Sequence, residues 1–237
     1  MRLRVLLVAV LGLFSSSIAA EAAAIAKVAG LYGSPTANGH VLAVGADVQE
    51  HDKIAVETGN IQLIFTDGTK LVVGAHSTLV VEKYLMKGGS QVSDFSVDAL
   101  RGTFRFITGG SAKAAYDIQT ANATIGIRGT GFDFWVDSST GVVVLEGQVH
   151  LCRKGSTACV NIHDHCDAGI ADPKNTRKMT ATDFNNRAAL HLPYIQSQAF
   201  LKQPFKLDIN SCRSKFAVIE NGEGTPPPPR PPRQRGD

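Results

Sequence analysis

The chain has 237 residues, of which 43% are hydrophobic and 19% charged, with a formal net charge of +3. That apolar share supports one sizeable core and excludes a wholly disordered chain. Without Arg2 and Arg4 the formal charge falls to +1, so the body lacks the basic stripe that neutralises phosphates, and nucleic acid is excluded as a partner class.

The first 20 residues read as a secretory leader. Arg2 and Arg4 precede an apolar run from Val5 to Phe14, and small residues follow through Ala24. The apolar run is about half of the ~20 residues a membrane-spanning helix needs. Cleavage is expected near Ala20, leaving no membrane span. No cysteine lies near that point, which argues against a lipid anchor.

From residue 28 to about 165 the chain reads as many short strands. Ile61, Leu63 and Phe65 alternate with Gln62 and Thr66. Leu100, Phe104 and Phe106 alternate with Arg101, Thr103 and Arg105, and Phe132, Phe134 and Val136 alternate with Asp133, Trp135 and Asp137. Period two with one apolar face predicts half-buried strands. Turns are expected at Asp67-Gly68, Lys87-Gly88-Gly89-Ser90, Thr108-Gly109-Gly110-Ser111 and Ser138-Ser139-Thr140-Gly141. Their spacing predicts an all-β sandwich, roll or short solenoid.

Residues 120 to 132 are the densest informative stretch. Strand-like Thr124-Ile125-Gly126-Ile127 runs into Arg128 and a turn at Gly129-Thr130-Gly131, and a second strand leaves at Phe132. Glycines here imply positive φ or close backbone approach. A phosphate loop would need a lysine and a following helix; a strand follows instead. Arg128 is expected to satisfy neighbouring loop carbonyls.

Four cysteines in an exported chain predict disulfides. Three connectivities are possible, and the favoured one is Cys152–Cys159 with Cys166–Cys212. The first pair brackets a turn-like loop between strands at Val149-His150-Leu151 and Val160-Asn161-Ile162; the second closes a long loop. That register places His150 opposite Asn161, Gln148 opposite His163 and Glu146 opposite His165. Glu146, His150, His163 and His165 would then share one sheet face, a donor set suited to zinc or copper. The competing reading of that face is a wet polar surface, with no cofactor.

Residues 166–220 change character. Thr180 with Asp183 resembles a capped helix start, so a helix is expected over 181–192, ended or kinked by Pro193, with a further turn or two over 194–202. Phe184, Leu192, Ile195, Phe200 and Leu201 would pack this segment on the β domain. Residues 221–237 hold Pro226-Pro227-Pro228-Pro229-Arg230-Pro231-Pro232-Arg233 and no large apolar side chain, so they are expected to be a disordered or polyproline II tail, a solvated spacer in preference to a partner motif, and dispensable for folding.

The ordered series of motifs resembles the FecR domain family. It begins with Gly45-Ala46-Asp47-Val48, Thr58-Gly59-Asn60 and Asp67-Gly68-Thr69. It continues through Leu100-Arg101-Gly102-Thr103-Phe104-Arg105 and the segment with Gly126, Arg128, Gly129, Thr130 and Gly131, and closes on Val142 to Val149. The resemblance implies a solenoid-like roll in the periplasm of a Gram-negative envelope, or secreted. It also implies a binding role toward an envelope protein or a cell-envelope polymer. The regulators of that family carry a cytoplasmic anti-sigma segment and a membrane helix, and this chain shows neither pattern.

No nucleophile elbow, zinc-protease helix or Ser-x-x-Lys signature occurs, so a non-catalytic module is expected. The first surface to consider for a partner is Arg128, Thr130 and Trp135, with burial of Trp135 beneath the C-terminal helix the favoured reading for that residue. The alternative function is a metal or small-molecule binder using the histidine face.

Overall fold

The computed structural model describes residues 23–129, 131–180, 183 and 192–213. The expected leader, the tail, Thr130 and nearly all of the helix expected over 181–192 lie outside the described residues.

Among the described residues seventeen strands form one continuous sheet that folds into two facing layers. The first layer orders β4 (Asp47–Val48), β1 (Ala26–Tyr32), β6 (Asn60–Phe65), β7 (Lys70–Val73), the end of β9 (Gln91–Ile107), β12 (Gly131–Val136), β13 (Thr140–Glu146), β16 (Ala168–Ala171) and β17 (Thr176–Lys178). The second orders β3 (His40–Val41), β2 (Thr36–Ala37), β5 (Lys53–Val56), β8 (Ser77–Gly88), the start of β9, β10 (Tyr116–Thr120), β11 (Ala123–Ile127), β14 (Val149–Arg153) and β15 (Cys159–Ile162). All pairings are antiparallel except β9 with β10. The chain alternates between layers, mostly in hairpin units. The β region thus extends to Lys178, past the expected boundary at 165, because β16 continues the ladder from β13.

β9 joins the layers. Residues up to Arg101 pair with β8 and residues from Gly102 onward pair with β12. At this change of layer Gly102 has φ 108°, and a Cβ there would lie 2.1 Å from Ser77 Oγ, so only glycine fits.

Alternating side chains meet between the layers. Phe65 of β6 lies 4.6 Å from Phe95 of β9, and Phe95 touches Phe106 and Tyr116 at 5.9 Å each. Ile54, Leu79, Val97, Ile118, Ile125 and Leu151 join this core from the second layer. Burial of such side chains stabilises the fold by roughly 1.5–3 kcal/mol each before entropy is counted.

The first layer is buried on its outer face as well. Residues 192–213 cross it as a strap containing a short helix α1 (Pro193–Gln196) and a 3-10 turn over Gln203–Phe205. Leu192, Ile195, Ile209 and Cys212 cover Trp135, Val143, Leu145 and Ile170. Tyr194, Leu201 and Phe205 cover Val72. Half-buried strands were expected here; the strap instead buries Gln62, Arg105 and Asp133 along with their apolar neighbours. Pro193 opens this helix at its first position, where its missing N–H costs nothing. Among the described residues no helix is long and apolar enough to cross a membrane.

Candidate functional site

Gly126 and Ile127 end β11, Gly131 opens β12, and Arg128 and Gly129 lie between them. None of the three glycines adopts positive φ. Close approach accounts for two of them. A Cβ on Gly129 would lie 2.3 Å from Gln148 N, and one on Gly131 would lie 2.6 Å from Leu207 Cδ1 of the strap. Gly126 has ordinary contacts only, at 3.6 Å from His150.

The backbone braces this loop. Arg128 N–H donates to Gln148 O at 3.0 Å, and Thr108 Oγ1 donates to Gly129 O at 3.1 Å. The Arg128 side chain does not do so: it is exposed, and its guanidinium has no hydrogen bond or ion pair among the described residues. The expected satisfaction of loop carbonyls by this arginine is therefore corrected, because main-chain groups and Thr108 already meet them.

Trp135 is withdrawn from the candidate surface. It is fully buried under the strap, beside Leu192 and Ile195. Its ring lies against Gly141, where a Cβ would come within 2.0 Å of the indole.

The disulfides Cys152–Cys159 and Cys166–Cys212 are both present, with Cα separations of 4.0 and 5.0 Å. The register around the first is as expected, with His150 opposite Asn161 and an Nδ1···Oδ1 contact of 2.6 Å. The alternative metal set of Glu146, His150, His163 and His165 does not converge among the described residues. β15 stops at Ile162, so the pairing that would align His163 and His165 ends. His163 meets Asp164 at 2.9 Å, and His165 turns to Leu145 O at 2.5 Å. Among the described residues, the groups within metal-binding reach are His150 with Cys152 and Cys159, and His165 with Cys166 and Cys212. Their sulfurs are committed to disulfides and offer no thiolate.

Two buried polar clusters escaped the sequence reading. At the first, Asp67 accepts hydrogen bonds from Thr69 N–H and hydroxyl (3.0 and 2.9 Å), Tyr84 (3.1 Å), Ser111 (3.1 Å) and Tyr116 (2.7 Å). Burial pushes the Tyr84 phenol up to about 12 and raises that of Tyr116, with the Asp67 charge adding to both. Both phenols stay protonated and donate, so this aspartate ties β8 and β10 to the Asp67-Gly68 turn. At the second, Arg105 pairs bidentately with Asp133 and also holds the strap. Its Nη1 donates to Phe205 O (3.2 Å) and Gln198 Oε1, its Nη2 donates to Tyr194 O (3.4 Å), and the Tyr194 ring lies 5.6 Å away. Burial pushes the Asp133 carboxyl upward and the Arg105 charge opposes it. Neither cluster opens into a cleft with a nucleophile. The signal for the second was present in the alternation, which put Arg105 and Asp133 on the same side of neighbouring strands.

No curated protein matches the chain. Two crystal structures of a candidate anti-sigma factor from Parabacteroides distasonis are similar to it, at 18% and 19% identity and TM-scores of 0.43 and 0.41. Each alignment covers 54% of this chain and 57% of the other, so the likeness spans little more than half of either. Residues 52–150 match the family described as FecR protein. That span runs from β5 into β14 and contains the Asp67 cluster, the Arg105–Asp133 pair and the glycine loop at Arg128. Residues 52–150 thus form a FecR-type domain by that match, and the family assignment extends to that span.

Proposed function

We propose that this protein is an exported, non-catalytic FecR-type module that binds another component of the cell envelope and takes part in a signalling-related or organising role there. The match to the FecR family over residues 52–150 carries the reading. The two disulfides support an oxidising compartment. Alternation of the chain between two layers supports the roll that the resemblance implies.

The contact surface centres on the loop after β11. Arg128 is exposed beside two backbone groups held by Gln148 O and Thr108 Oγ1, so a partner carboxylate meets a braced site at small entropic cost. An envelope protein fits this charge better than a neutral polymer does. Affinity capture from envelope extract, with the full chain immobilised under oxidising conditions, tests the reading. It should recover a defined protein without added metal or nucleotide, and less of it with Arg128→Ala. Recovery that depends on zinc or copper, or turnover of an envelope substrate, would overturn it.

A further inference from the structure

A cleft of about 520 Å³ opens between the strap and the strand ends of the first layer, on surface unrelated to Arg128. That volume is in the range of ligand-binding clefts. Tyr32 and Phe200 form one wall. They stack at 5.1 Å yet are 58% and 67% exposed, an arrangement that leaves a wide aromatic face in water. Asn60, His76 and Thr103 supply polar edges. Tyr194 also lines the cleft, and its buried hydroxyl has no partner among the described residues. Among the described residues no lysine or arginine lines the cleft.

We propose that this cleft is the docking site for the chain's own proline-rich segment, Pro226–Arg233, bound in cis. Left-handed polyproline helices dock on aromatic-lined grooves because they are extended before binding, and their unpaired carbonyls accept from donors in the groove. The chemistry matches: the stacked, exposed rings of Tyr32 and Phe200 offer flat apolar faces to pyrrolidine rings. The reach matches too. The strap runs from Leu201 at the cleft to Cys212 in eleven residues, and thirteen lie between Arg213 and Pro226 counting the latter. Thirteen extended residues span up to about 43 Å, so the chain has the length to return along the distance its strap has just covered. The arginines of the segment meet no cationic wall.

The test compares amide resonances of the full chain with those of a full chain carrying P226S, P227S, P228S and P229S together. Gly59, His76 and Ser197 should shift and the core amide of Phe134 should not, and the differences should persist on tenfold dilution. A synthetic peptide of residues 222–237 added to the serine variant should return the cleft amides toward their original positions. Phe200→Ala should weaken that peptide at least tenfold. Phe200 is exposed, so the substitution removes a docking wall without opening the core. Cleft amides unmoved by the serine substitutions would overturn the proposal. A shift that fades on dilution would assign the cleft to a second copy's tail and overturn docking in cis. A neutral glycan that moves these amides where the peptide does not would also overturn it.

Discussion

Arg105 and Asp133 stand directly opposite each other on β9 and β12, joined by hydrogen bonds of 2.6 and 2.8 Å with both side chains sealed from water. The pair sits under the strap and the guanidinium reaches three of its residues. Removing one partner leaves an uncompensated buried charge, which costs about 3–5 kcal/mol. Arg105→Met should lower the urea midpoint accordingly. Arg105→Met with Asp133→Leu should recover most of that loss. If the double variant is as unstable as the single one, the strap contacts rather than the ion pair dominate.

The two disulfides should differ in weight. Cys166–Cys212 closes a separation of 46 residues and Cys152–Cys159 one of 7. The chain-entropy model gives about 4 kcal/mol for the first and about 2 kcal/mol for the second. Melting of Cys166→Ser/Cys212→Ser and Cys152→Ser/Cys159→Ser variants checks the order. The first should also loosen the strap, read as increased hydrogen exchange at Ile209.

Arg128→Ala should leave the melting temperature within about 1 °C, as expected of an exposed side chain without partners. Its effect should fall on capture of the envelope partner. A clear drop in melting temperature would return the residue to a structural role.

Trp135 is the sole tryptophan, and its ring occupies the space a side chain at position 141 would need. Gly141→Ala should destabilise by about 1–3 kcal/mol through overpacking. Trp135 emission, blue-shifted in the folded protein, should move to longer wavelength at lower denaturant in this variant. Unchanged stability would mean that the strap yields to the added methyl group.

Acid should weaken the contact at the start of the segment after β17. Arg177 donates to Asp183 at 2.5 and 2.7 Å, and Thr180 adds an N–H and a hydroxyl at 2.7 Å each. These hold the Asp183 carboxyl well below the usual carboxylate range. A depressed folded value means the stabilisation is present above the unfolded pKa, about 4, and is lost as pH falls below it toward the folded value. The pair is partly solvated, so its worth is about 1 kcal/mol or less. Asp183→Asn should therefore melt below the parent at pH 7, with the gap closing progressively in strong acid. A gap that does not change with pH would trace the loss to capping geometry instead of charge.

Much of the layer-to-layer core was legible because alternation reports directly on which side a residue faces. Ile61, Leu63, Phe104, Phe106, Phe132 and Phe134 all point as their period predicted. The cysteine pairing and the His150–Asn161 register were legible too, since a short loop between two strands leaves little freedom. Alternation does not report what covers the other side. Gln62, Arg105 and Asp133 read as a polar face, and only the strap, contributed from more than 50 residues downstream of β12, buries them as part of a second core. Arg128 was misread for a local reason: whether a guanidinium braces a loop depends on whether main-chain groups have already done so. The histidine set failed at one residue, where β15 ends and the phase of the ladder is lost.

The strap and β1 lie outside residues 52–150, yet they complete the cooperative unit to which that span belongs. A fragment cut at the family boundaries would lose β1, which pairs with β6, and would leave Trp135, Val72 and Leu145 facing water. Such a fragment would present a broad sticky sheet face and self-associate. The recognisable segment and the smallest heritable folding unit are thus different lengths of chain. A gene fusion or deletion that respected only the former would yield aggregate, which places selection for solubility on terminal residues that the family pattern does not include.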